Sequence, residues 1–260
     1  MMILMKGLQI ATYNIRLDTE EDGNWSWENR KKHVIQLIKY HEWDFFGVQE
    51  ARPHQVEDLE VLEGYASFSK EREGDNQGEG LGIYYKKNLF DCLEHGYFWL
   101  SETPEVPSIH PEAGCKRIAL WGVLKDKQSQ QEILIINTHL DHISETARQE
   151  GMSVLLEIMS EKISEYKTII FGDFNADRKE SFHQELASHF IYPRDKKEMI
   201  NYGPIGTFQE FNYNASWEEL EEIDFILFKE LTVKKYGVLT DSCNRKFPSD
   251  HFPVVATFTL

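Results

Sequence analysis

The chain alternates between short apolar runs and longer stretches in which apolar residues recur at every third or fourth position. Residues 7–15 are apolar and β-branched, which predicts a buried first strand. Residues 27–41 show the spacing of a helix with one apolar face. A second apolar run, over 44–48, leads to Glu50, so we predict a strand that ends there and is followed by a helix through Leu62.

The middle of the chain is predicted to be a succession of strands. Five runs of β-forming residues are separated by turn-rich segments, and they cover 65–69, 81–86, 89–99, 117–124 and 132–138. Connections as short as these favour antiparallel pairing, because a parallel crossover needs a dozen or more residues. A long helix over 143–165 and a strand over 168–171 are predicted to follow.

The same alternation continues to the end of the sequence. We predict strands over 223–228, 231–239 and 253–260, and helices over 179–189 and 216–221. No repeat, low-complexity tract or long Pro/Gly/Ser linker divides the chain, which indicates one domain over residues 1–260. Two groups of strands, each with helices, predict an α/β fold: a two-layer β-sandwich of mixed, mainly antiparallel sheets flanked by helices.

Composition is that of an ordinary soluble globular protein. Of the 260 residues 41% are hydrophobic and 28% are charged, and no apolar run approaches the ~20 residues that a membrane-spanning helix needs. Residues 1–6 are apolar but carry no cleavage signal, and we interpret them as the lead-in to the first strand. The three cysteines are widely spaced and unpaired in pattern, so we expect a cytoplasmic location. We also expect a monomer.

The net charge of −16 limits the partners of this protein. Tight binding to duplex DNA depends on clustered Lys and Arg that neutralise phosphates, and an acidic chain opposes it. An acidic enzyme can still act on a phosphate ester when a divalent cation and a few basic residues reverse the local potential. The charge therefore constrains the substrate and leaves the chemistry open.

Side chains suited to catalysis recur at six places where predicted strands end or begin. Loops that follow the strands of a rigid sheet commonly carry active sites. Taken singly, each of these residues is more often a cap, a turn residue or a packed side chain than a catalytic group. Their joint recurrence along the chain is much harder to explain structurally. The six places are Tyr13-Asn14-Ile15-Arg16, Gln49-Glu50, Asn137-Thr138-His139-Leu140-Asp141, Gly172-Asp173-Phe174-Asn175, Ile223-Asp224-Phe225-Ile226 and Ser249-Asp250-His251.

In their order and approximate spacing these motifs resemble those of the endonuclease/exonuclease/phosphatase superfamily, over nearly the whole chain. That group includes DNase I-like nucleases, apurinic endonucleases, sphingomyelinases, inositol phosphatases and carbon catabolite repressor-type deadenylases. The resemblance implies a DNase I-like four-layer sandwich and a Mg²⁺-dependent phosphoesterase, with Mn²⁺ as a substitute ion. Residues 78–85 are similar to the deadenylase branch, and residues 98–104 are similar to uncharacterised bacterial members. Arg16 stands where the DNA-repair branch has an acid or amide, which disfavours apurinic-site cleavage and a second metal ion.

The matched positions include residues suited to hold a metal ion. Mg²⁺ takes oxygen ligands and usually keeps several waters, so one or two carboxylates can hold it. Glu50 is the first choice of ligand, with Asn14 and Asp250 nearby or bonding through water. A salt bridge from Glu50 to Arg52 is the main structural alternative.

The remaining matched residues suit acid–base chemistry on a phosphate. Asp173 and His251 are the candidate base and acid, and we favour Asp173 as the base although sequence leaves the choice open. By the pattern of the family, Asp224 accepts a hydrogen bond from His251. Asn175 and His139 are then expected to donate hydrogen bonds to the non-bridging oxygens of the phosphate.

Three arginines are candidates for contacts to the substrate. Arg148 could direct its guanidinium to a phosphate, or equally pair with Glu145 or Glu150 along its helix. Arg117 opens a strand and Arg16 follows the first catalytic strand, so both could serve in the same way.

An aromatic loop leaves the same end of the first strand. Trp25 in this loop could stack on a base or sugar, or it could simply pack, whereas Trp27 is expected to pack. The histidines outside the motifs are expected at the surface or in packing. They are His33, His41, His54, His95, His110 and His183.

Two enzymatic functions remain open at the level of sequence. The motifs and the acidic charge favour a Mg²⁺-dependent, nuclease-like phosphodiester hydrolase that acts on short or single-stranded nucleic acid or on nucleotide-like esters. The alternative is a phosphatase for a small phosphorylated metabolite, an inositol phosphate or a lipid head group, because the chemistry of the family does not fix the leaving group. A non-enzymatic scaffold is disfavoured, since no matched catalytic position is replaced.

Overall fold

The computed structural model describes residues 7–259, which form two β-sheets packed face to face with helices on both outer faces. The expectations for residues 1–6 and for Leu260 lie outside the described residues. The predicted α/β sandwich of mixed, mainly antiparallel sheets is confirmed. No described helix is both long enough and apolar enough to cross a membrane.

Twelve strands are found within residues 7–259. All but the ninth match predicted segments to within three residues at either end. In chain order they are β1 (Leu8–Asn14), β2 (Phe45–Ala51), β3 (Tyr65–Glu71), β4 (Gly80–Lys86), β5 (Phe90–Trp99), β6 (Ile118–Asp126), β7 (Glu132–His139), β8 (Lys167–Asp173), β9 (Ile200–Tyr202), β10 (Asp224–Lys229), β11 (Thr232–Val238) and β12 (Val254–Thr259).

The strand order brings distant parts of the chain together. The seven-stranded sheet has the order β3-β4-β2-β1-β12-β11-β9, and the five-stranded sheet has the order β10-β8-β7-β6-β5. β1 pairs with β2 in parallel and with β12 in antiparallel fashion. The carboxyl ends of β1 and β2 therefore lie next to the start of β12. In the other sheet β8 pairs in parallel with β7 and in antiparallel fashion with β10.

The alternation of side chains along each strand builds three apolar layers. In β1, Ile10 faces the core between the two sheets, while Ala11 and Tyr13 face the helices on the outside of the first sheet. In β8, Ile169 faces the same central core and Ile170 faces the helices outside the second sheet. Because both faces of these central strands are buried, their sequences are continuously apolar.

Four α-helices of the described part of the chain cover the two outer faces. They are α1 (Trp27–His41), α2 (Pro53–Asp58), α3 (Glu145–Glu165) and α4 (Ser181–His189), with short 3-10 helices at Glu20–Trp25, Leu59–Val61 and Pro193–Asp195. α1 packs on the first sheet, and α3 and α4 pack on the second. The side chain of Ser144 accepts a hydrogen bond from the backbone N–H of Ala147 at 3.1 Å, which satisfies one of the free donors at the start of α3.

The expected helix over 216–221 is wrong. This segment forms turns, and its last residue, Glu221, pairs with Phe208 in an isolated β-bridge. The backbone N–H of Thr207 donates to the carbonyl of Glu221 at 2.7 Å. Long-range backbone pairing thus overrides the local helical propensity of a Glu-rich stretch.

His183 is expected to make folding sensitive to mild acid. Its ring is buried among aromatic side chains, and burial lowers its pKa to about 4. In the unfolded chain this histidine has a pKa near 6.5, so it binds a proton there before it does in the folded protein. Its contribution to the free energy of unfolding is therefore complete above about pH 6.5 and is lost as pH falls towards 4. We expect His183→Gln to lose about 2 kcal/mol less unfolding free energy than wild type between pH 7 and 5.

Denaturant unfolding at both pH values measures this difference. His189→Gln, at an exposed histidine in the same helix, is the matched control and should follow wild type. Parallel pH dependence of wild type and His183→Gln would contradict the assignment.

Candidate active site

The strand ends that carry the predicted motifs meet at one edge of the sandwich. In the first sheet, Asn14 at the end of β1 is in register with Gln49 in β2. In the second sheet, His139 at the end of β7 is in register with Asp173 at the end of β8. β10 begins at Asp224, directly opposite Asp173. Both sheets therefore present polar side chains at the same edge.

Asn14 connects the two sheets at this edge. Its side chain is fully buried, and Nδ2 donates hydrogen bonds to Glu50 Oε1 and to Asp173 Oδ2, each at 2.9 Å. The same nitrogen lies 3.4 Å from His251 Nε2. Its Oδ1 accepts the backbone N–H of Arg16 at 2.9 Å, which fixes the orientation of the amide. One side chain thus organises groups from four separate chain segments.

Glu50 reaches this cluster because the backbone changes direction at the end of β2. Its φ is +62°, and the pairing of β2 with β4 shifts register at this point, a bulge that re-aims the side chain. Oε2 accepts the backbone N–H of Leu17 at 3.0 Å. Burial acts to raise the pKa of Glu50, but hydrogen bonds and the charges of His251 and Arg16 outweigh it and lower the pKa. The carboxylate is therefore ionised at neutral pH.

Arg16 lies beside two of the predicted metal ligands. Its Nε is 3.8 Å from Asp250 Oδ2, and its Nη1 is 4.0 Å from Glu50 Oε2. Two hydrogen bonds to Asp22, at 3.0 and 3.1 Å, hold the guanidinium. Burial raises the pKa of Asp250, against the opposing charges of His251 and Arg16. Arg16 therefore supplies a fixed positive charge next to both carboxylates.

His251 is held between two carboxylates. Its Nδ1 donates to Asp224 Oδ2 at 2.8 Å, and its Nε2 lies 3.7 Å from Asp173 Oδ2. Thr207 Oγ1 donates to the same oxygen of Asp224 at 2.6 Å and fixes that carboxylate. Burial opposes a charge on His251, but Asp224 and Asp173 outweigh it and raise the imidazole pKa well above its usual value. The ring is therefore cationic at neutral pH.

Asp173 occupies the centre of the cluster. Its Oδ2 accepts the hydrogen bond from Asn14 and lies 3.4 Å from His139 Nε2. Its Oδ1 accepts the backbone N–H of Asn175 at 2.9 Å. Burial, together with the charge of Asp224, raises the pKa of Asp173 to about 7. A carboxyl group with such a pKa can exchange a proton near neutral pH.

The glycine before Asp173 lets β8 approach β7 closely. Gly172 has a φ of +148°, and a Cβ there would lie 1.9 Å from the carbonyl oxygen of Thr138. A larger residue would push the two strands apart. Gly172 thereby keeps Asp173 level with His139.

Asn175 positions the second histidine of the cluster. Its Nδ2 donates to His139 Nε2 at 2.9 Å and to the carbonyl of Leu140 at 3.0 Å, so both amide hydrogens are engaged by the protein. Burial, followed by the charges of Arg117 and Arg72, lowers the pKa of His139 well below its usual value. The neutral ring accepts at Nε2 and therefore carries its hydrogen on Nδ1.

Two buried carboxylates at the centre, Glu50 and Asp173, are placed to hold a metal ion beside the cationic ring of His251. One ligand atom each of Glu50, Asp173 and His251 lies within 4.8 Å of the others. Two carboxylates beside each other suit a hard cation such as Mg²⁺ or Mn²⁺, which binds oxygen ligands and water. Asn14 turns its Nδ2 towards the carboxylates, so it orients these ligands, and Asp250 lies on the side of Arg16.

A second group of potential ligands, Cys115, Asp141 and His142, has a structural use. Asp141 Oδ1 accepts the backbone N–H groups of Ile143 and Ser144, each at 2.9 Å, and so shapes the loop before α3. Burial acts to raise the pKa of Asp141, but these backbone hydrogen bonds outweigh it and lower the pKa. The carboxylate is thus already occupied.

Arg117 lies beside the edge of the sandwich that carries these polar side chains. Its side chain is 7% exposed; Nη1 is 3.6 Å from Glu79 Oε1, and Nη2 is 3.2 Å from His142 Nδ1. Its Nε has no hydrogen-bond partner within residues 7–259. It lines a small cavity with Arg72 and His139. Arg117 therefore has donor capacity next to His139.

Arg148 is engaged elsewhere. Its Nε and Nη2 donate to Glu180 at 2.8 and 2.5 Å, and its Nη1 donates to the carbonyl of Asp141 at 2.8 Å. The carboxylate that it pairs with is neither Glu145 nor Glu150. The hydrogen bonds of this guanidinium within residues 7–259 therefore tie α3 to the loop before α4.

Sequence reasoning missed three residues that shape the site. Glu79 pairs with Arg72 and Arg117, and burial, with the charge of Glu50, raises its pKa. It lies in the glycine-rich segment that resembles the deadenylase branch, and this placement was a usable signal. Arg30 lies on the apolar face of α1, and a charged residue at such a position is a sign that its charge is buried. Thr207 lies in an irregular segment whose sequence carries no such signal.

Proteins of known sequence and structure match this chain over nearly its full length. The model of the Endonuclease/Exonuclease/phosphatase family matches residues 11–251. A functionally unknown conserved protein of Enterococcus faecalis V583 is 50% identical, with 96% of this chain and 99% of that chain covered and a TM-score of 0.94. A mannosyl-6-phosphatase of Bacteroides thetaiotaomicron VPI-5482 is 36% identical, with 97% and 100% covered and a TM-score of 0.90.

More distant relatives are found among eukaryotic and viral sequences. An uncharacterised protein of Acanthamoeba polyphaga mimivirus is 28% identical over 92% of this chain and 95% of its own length. The CCR4-Not complex 3'-5'-exoribonuclease subunit Ccr4 of Candida albicans is 23% identical over 83% of this chain, which spans 32% of that protein. The predicted likeness to uncharacterised bacterial proteins and to the deadenylase branch is confirmed.

Divalent cations are expected to stabilise the folded protein through Glu50. A ligand that binds only the folded state raises the free energy of unfolding in proportion to the logarithm of its concentration. At a free concentration about ten times Kd, the melting temperature of a chain of this size rises by about 3–6 °C. We expect Mg²⁺ or Mn²⁺ to raise the melting temperature of wild type by this amount and that of Glu50→Gln by much less.

Thermal unfolding in EDTA and in excess metal measures the effect. Glu185→Gln, an exposed charge-matched change in α4, should respond like wild type. Equal shifts in wild type and Glu50→Gln would argue against a metal site at this carboxylate.

Proposed function

The chain belongs to the endonuclease/exonuclease/phosphatase family, and on this premise we propose that it is a divalent-metal-dependent phosphoester hydrolase acting on a small phosphorylated compound. Members of the family hydrolyse phosphoester bonds. The observation that carries the proposal is the buried convergence of Asn14, Glu50, Asp173 and the His251–Asp224 pair. The metal ligand Glu50, the base Asp173 and the cationic His251 would then face the same reacting phosphate.

Glu50 is the proposed main ligand of a Mg²⁺ or Mn²⁺ ion. Asn14 orients its carboxylate by a hydrogen bond, and Asp250 adds negative charge nearby. When bound, a divalent ion supplies Lewis-acid stabilisation of charge on the phosphoryl oxygens. Arg16 neutralises part of the charge of both carboxylates, which supports a site with a single ion.

Asp173 is the proposed base for the attacking water. Its Oδ2 is fixed by Asn14 and faces the two imidazoles at 3.4 and 3.7 Å, so water bound there would also lie beside the phosphate. His251, held cationic by Asp224, is placed to donate a hydrogen bond to a phosphoryl oxygen. The protein thereby supplies a proton acceptor and a positive charge from preorganised groups.

His139 and Arg117 are the proposed contacts to the other phosphoryl oxygens. Asn175 keeps Nε2 of His139 occupied, which leaves the N–H at Nδ1 as its donor. Arg117 brings an unpartnered Nε to the same side. Hydrogen bonds aimed at growing negative charge accelerate the reaction more than they tighten substrate binding.

A small phosphate ester is the favoured substrate. The 36% identical Bacteroides protein is named a mannosyl-6-phosphatase, and the likeness covers nearly all of both chains. The net charge of −16 also opposes extended contact with a polyanionic nucleic acid. We therefore place a sugar phosphate ahead of the nuclease-like substrate that the motifs alone favour.

The three central side chains are expected to be required for hydrolysis. We expect Glu50→Gln, Asp173→Asn and His251→Ala each to lower kcat at least 100-fold, because each removes a charge or proton acceptor at the reacting phosphate. Glu185→Gln and His189→Gln, at exposed positions of α4, are the matched controls. Full activity in any two of the three site variants would refute the assignment.

A substrate panel with Mg²⁺ or EDTA provides the measurement. It includes hexose phosphates, nucleotides, inositol phosphates, sphingomyelin, an abasic duplex, and single-stranded RNA and DNA. Only hydrolysis that is lost both in EDTA and in His251→Ala counts as the activity of this site. Turnover confined to the single-stranded nucleic acids would overturn the small-substrate assignment.

We expect Arg117 to bind the substrate phosphate through the N–H groups of its planar guanidinium as well as through its charge. Arg117→Lys keeps the charge but loses the planar geometry, so we expect kcat/KM to fall about tenfold, and more in Arg117→Ala. Partial rescue of Arg117→Ala by added guanidinium would identify the missing group. Arg178→Met, at an exposed pair with Asp195, is the control. Unchanged kcat/KM in Arg117→Ala would rule out the contact.

A further inference from the structure

A cavity flanks the catalytic edge on the side of α1. It has a volume of about 300 Å³, and Trp25, Arg30, Lys246 and Phe247 are among its walls. We call it the Trp25 cavity. Its volume is at the lower end of the ~300–1,000 Å³ found for small-molecule sites, which suits one group of a small ligand.

The Trp25 cavity shares its loops with the catalytic cluster. Phe247 precedes Asp250 by three residues, which span at most about 11 Å even in a fully extended chain. Arg30 donates hydrogen bonds to the carbonyls of Ile15 and Arg16, in the segment that directly follows β1. The Trp25 cavity and the catalytic cluster are therefore built from neighbouring residues of the same two loops.

The Trp25 cavity is cationic although the chain is strongly acidic. Within residues 7–259 no aspartate or glutamate lines it, although the chain has 44 acidic residues. The ammonium of Lys246 has no ion pair or hydrogen bond within residues 7–259, and it lies 5.1 Å from the centroid of the Trp25 ring. Arg30 is 3% exposed and donates its recorded hydrogen bonds only to backbone carbonyls. All five N–H donors of Arg30 are thus used within the protein, and Lys246 is the cation of these walls that is left to pair with an anionic ligand.

The indole of Trp25 adds a hydrogen-bond donor to the walls of the Trp25 cavity. Trp25 Nε1 is buried and lacks a hydrogen-bond partner in the part of the chain that the structure describes. A buried donor without an acceptor costs roughly 1–3 kcal/mol, which a ligand oxygen would relieve. The ring itself is fixed by Phe211, at a centroid distance of 5.7 Å. The cavity thus combines cations, a free N–H and a rigid aromatic face.

A tight turn presents Lys246 to this space. Asn244 and Arg245 both have positive φ, +52° and +63°, and Cys243 pairs with Lys246 across the turn. Two successive left-handed residues are typical of a type I′ turn, which holds its flanking residues rigidly. The turn therefore fixes the backbone of Lys246, while its side chain is exposed.

We propose that the Trp25 cavity binds a second phosphate group of the substrate while the scissile phosphate lies at the catalytic cluster. This inference rests on the proposed function and narrows it. The preferred substrate is a small ester that carries two phosphates, and sugar bisphosphates are the simplest members of that class. Lys246 and the Trp25 indole N–H determine this preference and take no part in the chemistry.

Kinetics with two probes test the assignment. The probes are glucose 6-phosphate and glucose 1,6-bisphosphate, assayed with the Mg²⁺-loaded protein. We expect Lys246→Gln to raise KM for the bisphosphate about tenfold and to leave kcat and the monophosphate constants unchanged. Trp25→Phe should act in the same direction, and Lys246→Arg should restore most of the affinity. Lys234→Gln, at an exposed lysine of β11, is the matched control.

Binding of inorganic phosphate, measured by calorimetry in EDTA, tests the cavity independently of turnover. We expect Lys246→Gln to weaken it about tenfold relative to wild type and Lys234→Gln. Unchanged phosphate binding in Lys246→Gln would overturn the proposal. Weakened phosphate binding with equal KM shifts for both esters would assign the cavity to free phosphate and overturn the substrate claim.

The two proposals can fail separately. Wild-type protein that binds phosphate through Lys246 but hydrolyses no ester in the panel contradicts the proposed function and supports the Trp25 cavity as a phosphate site. Hydrolysis that requires His251 but is indifferent to Lys246 and Trp25 supports the proposed function and rejects the Trp25 cavity.

Discussion

Several carboxylates are buried within a few ångströms of one another at the edge of the sandwich, and the surrounding structure offsets the repulsion among them. Two like charges within 4.8 Å of each other, as the ligand atoms of Glu50 and Asp173 are, repel by at least about 3 kcal/mol at an effective dielectric constant near 20. The amide of Asn14, the guanidinium of Arg16 and the imidazolium of His251 lower this cost. A divalent cation bound there would lower it further and would link metal affinity to folding stability at this edge.

Backbone geometry determines which side chains reach this edge. Parallel pairing aligns the ends of β1 with β2 and of β7 with β8, and antiparallel pairing adds the starts of β12 and β10. Two local departures complete the arrangement: the positive φ of Glu50 turns its carboxylate inward, and Gly172 lets β8 approach β7. Strained or permissive backbone therefore occurs directly beside the candidate catalytic groups, where it is commonly concentrated.

The acidic chain is compatible with an anionic substrate because its cations are unevenly distributed. Arg16 and Arg117 lie beside the catalytic cluster, and Arg30 and Lys246 lie at the Trp25 cavity. Cations beside a cleft act on a ligand over short distances, whereas charges farther away on the surface are screened by salt within about 10 Å. Such a distribution favours a compact phosphate ester, whose charge fits within these sites, over a long polyanion.

The sequence by itself determined eleven of the twelve strands found within residues 7–259, the main helices and the six polar motifs, because these depend on local periodicity and on residue types at strand ends. It did not determine which side chains pair with each other across the fold. Asp224 depends on Thr207, Arg148 pairs with Glu180, and the segment that ends at Glu221 forms turns and a bridge instead of a helix. These outcomes required the tertiary structure, because hydrogen bonds and charge pairs between residues far apart in sequence are decided by how two sheets pack and which loops then meet.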